Sequence, residues 1–351
     1  MRNSQPVTGT EALPKSLSFL FIRLDKIGDL ICTLPCDNHP DFPKEARKFW
    51  IINNGTEFIA DHCVPAKDYL SLNPKKAIQS FLLLFQFLKK NSFEVAFSFQ
   101  APWWVNAALF FAKVPYRYGV LSQWHSFLFL NKGLRQKRSL AQKHEADYNY
   151  EIVDKALREN STAPLTTPVQ KMDAPENVFL LHRFELKEKS YVVLHPGMAG
   201  SALNWPEEKY LSLIVALLDK TSFQIVITGT PMDENYLRTI KSTFKNHSRV
   251  IILQNKLSAT ELLVILKSSK AVVAPSTGVL HLSASLGKKT IGIFSPIKVQ
   301  HPTRWAARGE KVSLFYPQVS CPADFHCLKE KCPHYNCMDQ IDHQQILKEL
   351  I

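Results

Sequence analysis

The feature that most constrains this chain is the regular alternation in its second half between short apolar runs and helix-period stretches. Tyr191–Leu194, Gln224–Thr228, Val250–Leu253, Ala271–Ala274 and Thr290–Phe294 are runs of four or five residues, rich in Val and Ile, and read as strands. Between or after them, Pro206–Leu218, Asp233–Phe244, Ala259–Ser268 and Val279–Leu286 carry the helical period. Strands buried on both faces and separated by helices form a parallel, doubly wound sheet, which takes its ligand at the carboxyl ends of the strands.

The first half repeats the pattern less cleanly. Ser18–Ile22, Phe49–Ile52 and Val95–Phe99 read as strands, and Lys75–Lys90, Pro102–Ala112 and Glu145–Arg158 as helices. Residues 161–177 contain Pro164, Pro168 and Pro175 and keep neither period, which marks an interdomain linker. The division expected is 1–160, a linker at 161–177, and 178–351, with the last helix able to pack back on the first domain. A chain of 351 residues suits two cores better than one. The architecture expected is therefore α/β: two Rossmann-like doubly wound domains facing each other across a cleft.

Charge narrows the partners. With 43 Lys and Arg against 31 Asp and Glu, the formal charge is +12, which favours an anionic ligand or surface. The excess is local. Between Val95 and His144 there is no Asp or Glu, but there are seven basic residues and eleven aromatics, and Lys132, Arg135, Lys137 and Arg138 cluster in a loop-like stretch. Such a surface suits a phosphorylated glycolipid or the anionic leaflet that carries it; a solvated loop beside an aromatic core is the plainer alternative. Aromatic interleaving also suits RNA, but no RNA-binding signature accompanies it, so no nucleic-acid partner is expected. The longest apolar stretches, Phe81–Leu88 and Trp103–Ala112, are too short to span a bilayer, and no leader-like run precedes the first strand. A cytoplasmic protein, peripheral on a membrane at most, is expected.

Several chemistries lack their motifs: there is no G-x-G-x-x-G, no P-loop and no D-x-D pair that would hold Mg²⁺ on a diphosphate. A helix end can do that work instead. Ala274-Pro275-Ser276-Thr277-Gly278-Val279-Leu280-His281 runs from a strand into a helix, with Ser276 or Thr277 as N-cap and Gly278 permitting close approach of a ligand. Its free amides and positive dipole end offer an anion site without metal, to which His281 can add a hydrogen bond. The same residues also read as a plain capped helix with His281 packed inside. In the first domain, the loop before Asp29 follows the first strand and puts that carboxylate at a helix N-terminus. There it can act as a base toward an acceptor hydroxyl, or simply favour the helix dipole. Cys321, Cys327, Cys332 and Cys337 have gaps unlike the usual zinc pairs, so reduced thiols and no metal are expected. Cys32 and Cys36 read as helix-face residues.

These residues resemble a known family. RLDKIGDLICTLP, HPGMAGSALNWPEEKY and PSTGVLHLSASLGKKTIGIFSP, in that order, are similar to segments of glycosyltransferase family 9, the heptosyltransferases. Arg117-Tyr118-Gly119, His144-Glu145-Ala146-Asp147-Tyr148 and Cys337-Met338-Asp339-Gln340-Ile341 add smaller matches. The resemblance implies a GT-B fold and an inverting, metal-independent transfer of heptose from ADP-heptose to the lipopolysaccharide inner core. The nucleotide sugar is then a co-substrate, and no cofactor is needed. It implies Asp29 as general base and Ser276, Thr277, Gly278, Val279, Leu280 and His281 around the diphosphate. It also implies Asp233 or Glu234 at the ribose and Leu257 at the adenine. Two positions depart from the family pattern: Leu203 stands where a lysine is usual, and Ser276 where a sugar-facing aspartate is usual. Ser201 and Asn204 are the candidate replacements in the donor loop. A different nucleotide-sugar donor, or a non-catalytic glycolipid- or nucleotide-binding relative, are the alternatives that these departures allow.

Overall fold

A computed structural model describes residues 17–158, 167–198, 200 and 202–351. The leader reading over residues 1–16, the start of the linker and Ser201 lie outside the described residues. The first half holds strands β1 (Ser18–Arg23), β2 (Arg47–Asn53), β3 (Tyr69–Leu72), β4 (Val95–Ser98), β5 (Tyr116–Val120) and β6 (Lys132–Leu134). Its helices are α1 (Ile27–Thr33), α2 (Glu57–Asp61), α3 (Ala77–Lys90), α4 (Trp103–Phe111), α5 (Trp124–Phe129) and α6 (Glu145–Leu157). The second half contains α7 (Val178–Arg183), β7 (Tyr191–Leu194), α8 (Glu207–Lys220), β8 (Gln224–Ile227), α9 (Arg238–Thr243), β9 (Val250–Ile252) and α10 (Ala259–Ser268). It closes with β10 (Ala271–Pro275), α11 (Gly278–Ser285), β11 (Lys289–Ile293), α12 (Pro302–Trp305), β12 (Val312–Phe315) and α13 (His343–Leu350).

Each half builds one six-stranded parallel sheet, in the orders β3-β2-β1-β4-β5-β6 and β12-β11-β10-β7-β8-β9. These are the same doubly wound order, so each sheet reverses direction once, between β1 and β4 and between β7 and β10. A crevice opens beyond the strand ends at such a reversal. The central strands β1, β4, β7 and β10 are buried along their whole length, which is why their sequences are continuous apolar runs. The architecture is the α/β GT-B arrangement of two Rossmann-like domains.

The edge strands are where the sequence expectations fall short. β3, β6 and β12 have no continuous apolar run, because edge positions are only partly covered, and the interior β5 is interrupted by Arg117 and Gly119. The stretch Asn131–Lys143, expected as a loop, begins with β6. There Gly133 lies opposite Gly119 at φ +145°, and a Cβ on it would sit 2.0 Å from the Gly119 carbonyl oxygen. Gly133 lets β6 meet β5, Gly119 leaves room for Leu130 and the Ser98 carbonyl, and the two glycines erase the side-chain pattern that would have announced a strand. The expected helix over Asp233–Phe244 reduces to a 3₁₀ turn at Pro231–Asp233 and the short α9, because Asp233 caps its own turn. The last helix also differs from expectation. Ile346, Leu347 and Leu350 of α13 join Ile214 and Leu217 of α8 in one apolar cluster, so α13 closes the second half rather than returning to the first. The described part of the expected linker is a strap tied to both halves. Val64 donates its N–H to the Lys171 carbonyl, and Met172 donates to that of Ser285, at 3.0 and 2.9 Å.

Candidate functional site

The two sheet reversals bring α1 and α11 face to face. Leu30, Ile31 and Leu34 from the first half share an apolar cluster with Val279, Leu282 and Leu286 from the second. The first turns of the two helices touch: a Cβ on Gly28 would lie 2.9 Å from His281 Cδ2, and one on Gly278 would lie 2.7 Å from the Cβ of Ile27. Gly278 was expected to admit a ligand to the backbone. At its Cα the neighbour is Ile27, so the glycine permits helix–helix approach instead.

On the first lip, Arg23 ends β1 fully buried among carboxylates. Its Nη2 donates to Asp29 Oδ1 at 2.5 Å, and its Nε lies 2.8 Å from Asp25 Oδ2 in an ion contact whose angle makes no hydrogen bond. Nη1 reaches the Phe99 carbonyl at 3.4 Å, which ties the β4–α4 loop to the same group. Burial alone would lower the Arg23 pKa, but Asp29, Asp25 and Glu145 more than reverse this. Burial raises the Asp25 carboxyl above its ordinary range, and Arg23 offsets that only in part. Asp29 is partly exposed in the first turn of α1, held and oriented by Arg23. Asp25 and Arg23 were not singled out from the sequence. The available signal was an arginine closing an otherwise apolar buried strand.

On the opposite lip, Thr277 is the N-cap of α11, yet its side chain caps nothing: Oγ1 is buried with no hydrogen-bond partner. An N-cap hydroxyl normally accepts from the amide two or three residues on, so this one is left for something else. Ser276 and Gly278 are partly exposed beside it, whereas Val279 and Leu280 are buried by the helix packing. His281 is also buried. Its Nδ1 is 3.8 Å from Cys32 Sγ, and burial, helped by nearby His144, pushes its pKa down to about 3. The imidazole is therefore neutral at ordinary pH and sits in the α1–α11 contact, the packed position weighed against a hydrogen bond to the phosphate. Burial also pushes the Cys32 and Cys36 thiols far up, in keeping with their reading as helix-face residues.

The remaining site expectations are dispersed. Asp233 is buried and its Oδ2 accepts from the Thr230 N–H and Oγ1, at 2.8 and 2.7 Å. Its carboxylate also occupies the space where a Cβ on Gly197 would be. Glu234 is exposed and pairs with Lys241 at 2.6 Å. Leu257 packs at the margin of the core ahead of α10. Asn204 is committed to its own loop, donating to the Pro196 carbonyl at 2.7 Å and accepting from the Trp205 N–H at 2.8 Å. These two bonds fix the orientation of its amide and leave one N–H over. Lys132, Arg135 and Lys137 are exposed. Arg138 is not: it is buried and bonded to Glu145, Gln136 and Asn149, so it drops out of the acceptor-facing set. Cys321, Cys327, Cys332 and Cys337 are free thiols lining a cavity of about 200 Å³ beside Leu203 and Asn204. Among the described residues no group of three or more His, Cys, Asp or Glu side chains is placed to hold a metal ion.

The site is closed by a clasp that the sequence did not announce as one. His144, Glu145 and Asp147, at the start of α6, meet the segment Arg304–Arg308 from the second half. Arg304 donates Nε and Nη2 to Glu145 Oε2 at 3.1 Å, Arg308 reaches Asp147 Oδ2 at 2.6 Å, and His144 Nε2 meets the Ala306 carbonyl at 2.7 Å. Glu145 Oε1 also accepts from Arg138 at 2.5 Å and lies 3.6 Å from Arg23. One buried carboxylate thus joins the Asp29 side of the site to the second domain.

Known proteins share this organisation. The model of "Glycosyltransferase family 9 (heptosyltransferase)" matches residues 81–333. The "Putative glycosyltransferase" of Haemophilus influenzae is 28% identical over 300 residues, covering 82% of this chain and 84% of that protein. Among solved structures, E. coli ADP-heptose lps heptosyltransferase II superposes with a TM-score of 0.75 at 16% identity, covering 95% of this chain and 97% of that one. E. coli heptosyltransferase WaaC with ADP gives 0.68 at 18% identity, covering 95% and 100%. Since the family match extends over most of the chain and takes in the α11 lip and the His144–Asp147 clasp, this protein belongs to glycosyltransferase family 9 and is a glycosyltransferase of the heptosyltransferase kind.

Proposed function

We propose that the chain transfers heptose from ADP-heptose to the inner core of a lipopolysaccharide-type acceptor in a single inverting displacement without metal. The observation that carries this reading is the unpartnered Thr277 hydroxyl at the head of α11, set across from the Asp29 turn at the paired sheet reversals. A diphosphate seated there would supply the missing partner for Thr277 and would lie on the positive end of α11. Asp29, oriented by Arg23, would accept the acceptor proton while the helix end stabilises the departing nucleotide. Asp25 adds a second carboxylate on the acceptor side. The solved WaaC relative carries ADP, which supports adenine as the base.

The acceptor reading rests on the exposed cations Lys132, Arg135 and Lys137, and places the protein at the inner face of a membrane. Among the described residues no helix is long and apolar enough to cross one. A second reading is favoured by Leu203 and Ser276: a different nucleotide sugar on the same scaffold, or a relative that binds without transferring. Thermal shift with ADP, UDP and GDP, followed by transfer from ADP-heptose to heptose-free lipid acceptor, separates these. Selective stabilisation by ADP with transfer is expected. Stabilisation by UDP or GDP alone would overturn the ADP-heptose assignment, and ADP binding without transfer would favour the binding relative.

A further inference from the structure

We infer that α3, α4 and α5 form a monotopic docking face that seats the first domain on an anionic phospholipid bilayer. The inference rests on the glycolipid reading of the acceptor and specifies which surface meets the lipid.

The three helices pack side by side on one face of the first sheet. The inner sides of α3 and α4 make an ordinary core with Leu84, Leu88, Trp104, Val105, Ala108 and Leu109, while α5 turns His125 and Ser126 inward. Their outer sides are also apolar, which is unusual. Trp124, Phe127 and Leu128 of α5 are 67%, 60% and 61% exposed. Trp103 and Phe111 of α4 are 52% and 55% exposed, and Ile78 of α3 is 80% exposed. Neither α4 (WWVNAALFF) nor α5 (WHSFLF) contains a charged residue. A helix that only separates a core from water carries polar groups on its outer face, and a contiguous apolar patch with tryptophans marks a contact surface.

Charge selects the occupant. From residue 69 to residue 144 the sequence has eleven Lys and Arg and a single acidic residue, Glu94. The Glu94 carboxylate is bonded to Ser18 at the start of β1. Two of these cations stand beside exposed rings: Arg135 lies 5.3 Å from the centre of Phe127 and Arg117 5.5 Å from Phe110; Lys89 Nζ is 5.6 Å from the half-buried Phe85. Tryptophan, phenylalanine and leucine fringed by basic residues is the composition that enters the interface of an anionic bilayer. A second copy of this chain would bring the same cations against one another, which charge complementarity opposes. The location also fits the site. The loop that opens α4 is held by Arg23, the residue that orients Asp29.

The test is co-sedimentation of the full chain with phosphatidylethanolamine vesicles with and without phosphatidylglycerol. It compares the parent with the double substitution Phe127→Glu and Leu128→Glu, two exposed positions outside the catalytic and nucleotide-binding residues. Binding to the phosphatidylglycerol vesicles, released by high salt and accompanied by a blue shift of tryptophan emission, is expected. The double variant should bind at least about tenfold more weakly, with unchanged melting temperature and unchanged stabilisation by ADP. Equal binding by parent and variant, or no preference for anionic vesicles, would overturn the inference. So would a homodimer or an RNA complex that the same substitutions abolish while vesicles stay unbound. A chain that docks on anionic vesicles but transfers no sugar keeps this inference and sinks the transferase reading.

Discussion

Replacing Glu145 by glutamine tests the clasp between the two domains. In the parent its carboxylate is completely buried and faces Arg138, Arg23 and Arg304 at 2.5, 3.6 and 3.1 Å. Removing one member of a buried ionic set leaves uncompensated charge, here the nearly fully buried Arg138 guanidinium, since Arg23 keeps Asp29 and Asp25, and costs about 3–5 kcal/mol. Glutamine keeps one acceptor oxygen, so the lower end applies. At about 2–4 °C per kcal/mol for chains of this order of size, the melting temperature should fall by about 6–12 °C. Arg304→Gln removes only the less buried partner and leaves the Glu145–Arg138 bond intact, which puts its loss near 1 kcal/mol. The two substitutions should be non-additive, because with Glu145 neutralised Arg304 has lost its anion.

Acidity gives an independent check on Glu145. Burial would raise this carboxyl, but Arg138, Arg23 and Arg304 outweigh burial and hold it below its ordinary 4.5. A carboxyl depressed by folding stabilises fully above its unfolded value, and that contribution is lost as pH falls through the lowered one. The gap between parent and Glu145→Gln should therefore be constant at neutral pH and close only well into acid. Differential scanning fluorimetry across pH reads both quantities. A Glu145→Gln shift no larger than that of Arg304→Gln, or strict additivity, would refute the picture of a shared buried anion.

Other outcomes follow from the same groups. Thr277→Val should weaken ADP binding about tenfold by calorimetry with the fold intact; unchanged affinity would remove the hydroxyl from the diphosphate site. Asp29→Asn should abolish most transfer while leaving ADP binding near parental, and full activity would eliminate the proposed base. His281, His144 and His195 are buried and pushed down to about 3, 4 and 4, chiefly by burial. Unfolding lets them take protons below their ordinary 6.5, so the chain should lose stability as pH falls from there toward 4, by up to about 1.4 kcal/mol per pH unit for each group. A flat stability profile over that window in urea titrations would contradict their neutral burial.

The central strands were legible because burial on both faces writes a continuous apolar run, and Tyr191–Leu194 and Ala259–Ser268 have the same bounds in sequence and structure. The motif around Thr277 was legible because a strand that passes straight into a helix through Pro-Ser-Thr-Gly leaves amides at a known place. The family was carried by those same segments. The edge strand β9 was legible at Val250–Leu253, but β3, β6 and β12 were not, since glycines interrupt β6 and β3 and β12 are only half covered. Side-chain allegiance was the larger gap. Arg138 has the same letter code as an acceptor-binding surface cation, and His281 the same as a phosphate ligand. Only long-range packing sends one to Glu145 and the other into the α1–α11 contact.

The sequence by itself therefore determined the two doubly wound sheets, the helix end with Thr277 and the placement of Asp29 in the turn after the first strand. All three are local: each follows from residues adjacent in the chain. The tertiary structure alone decided that Arg23, Asp25 and Asp29 form one charged group and that His144-Glu145-Ala146-Asp147 clasps Arg304 and Arg308. It also decided that the outer faces of α3, α4 and α5 remain uncovered. Those outcomes depend on which distant surfaces meet and which do not, and partners some 160 residues apart leave no periodic trace in a single sequence.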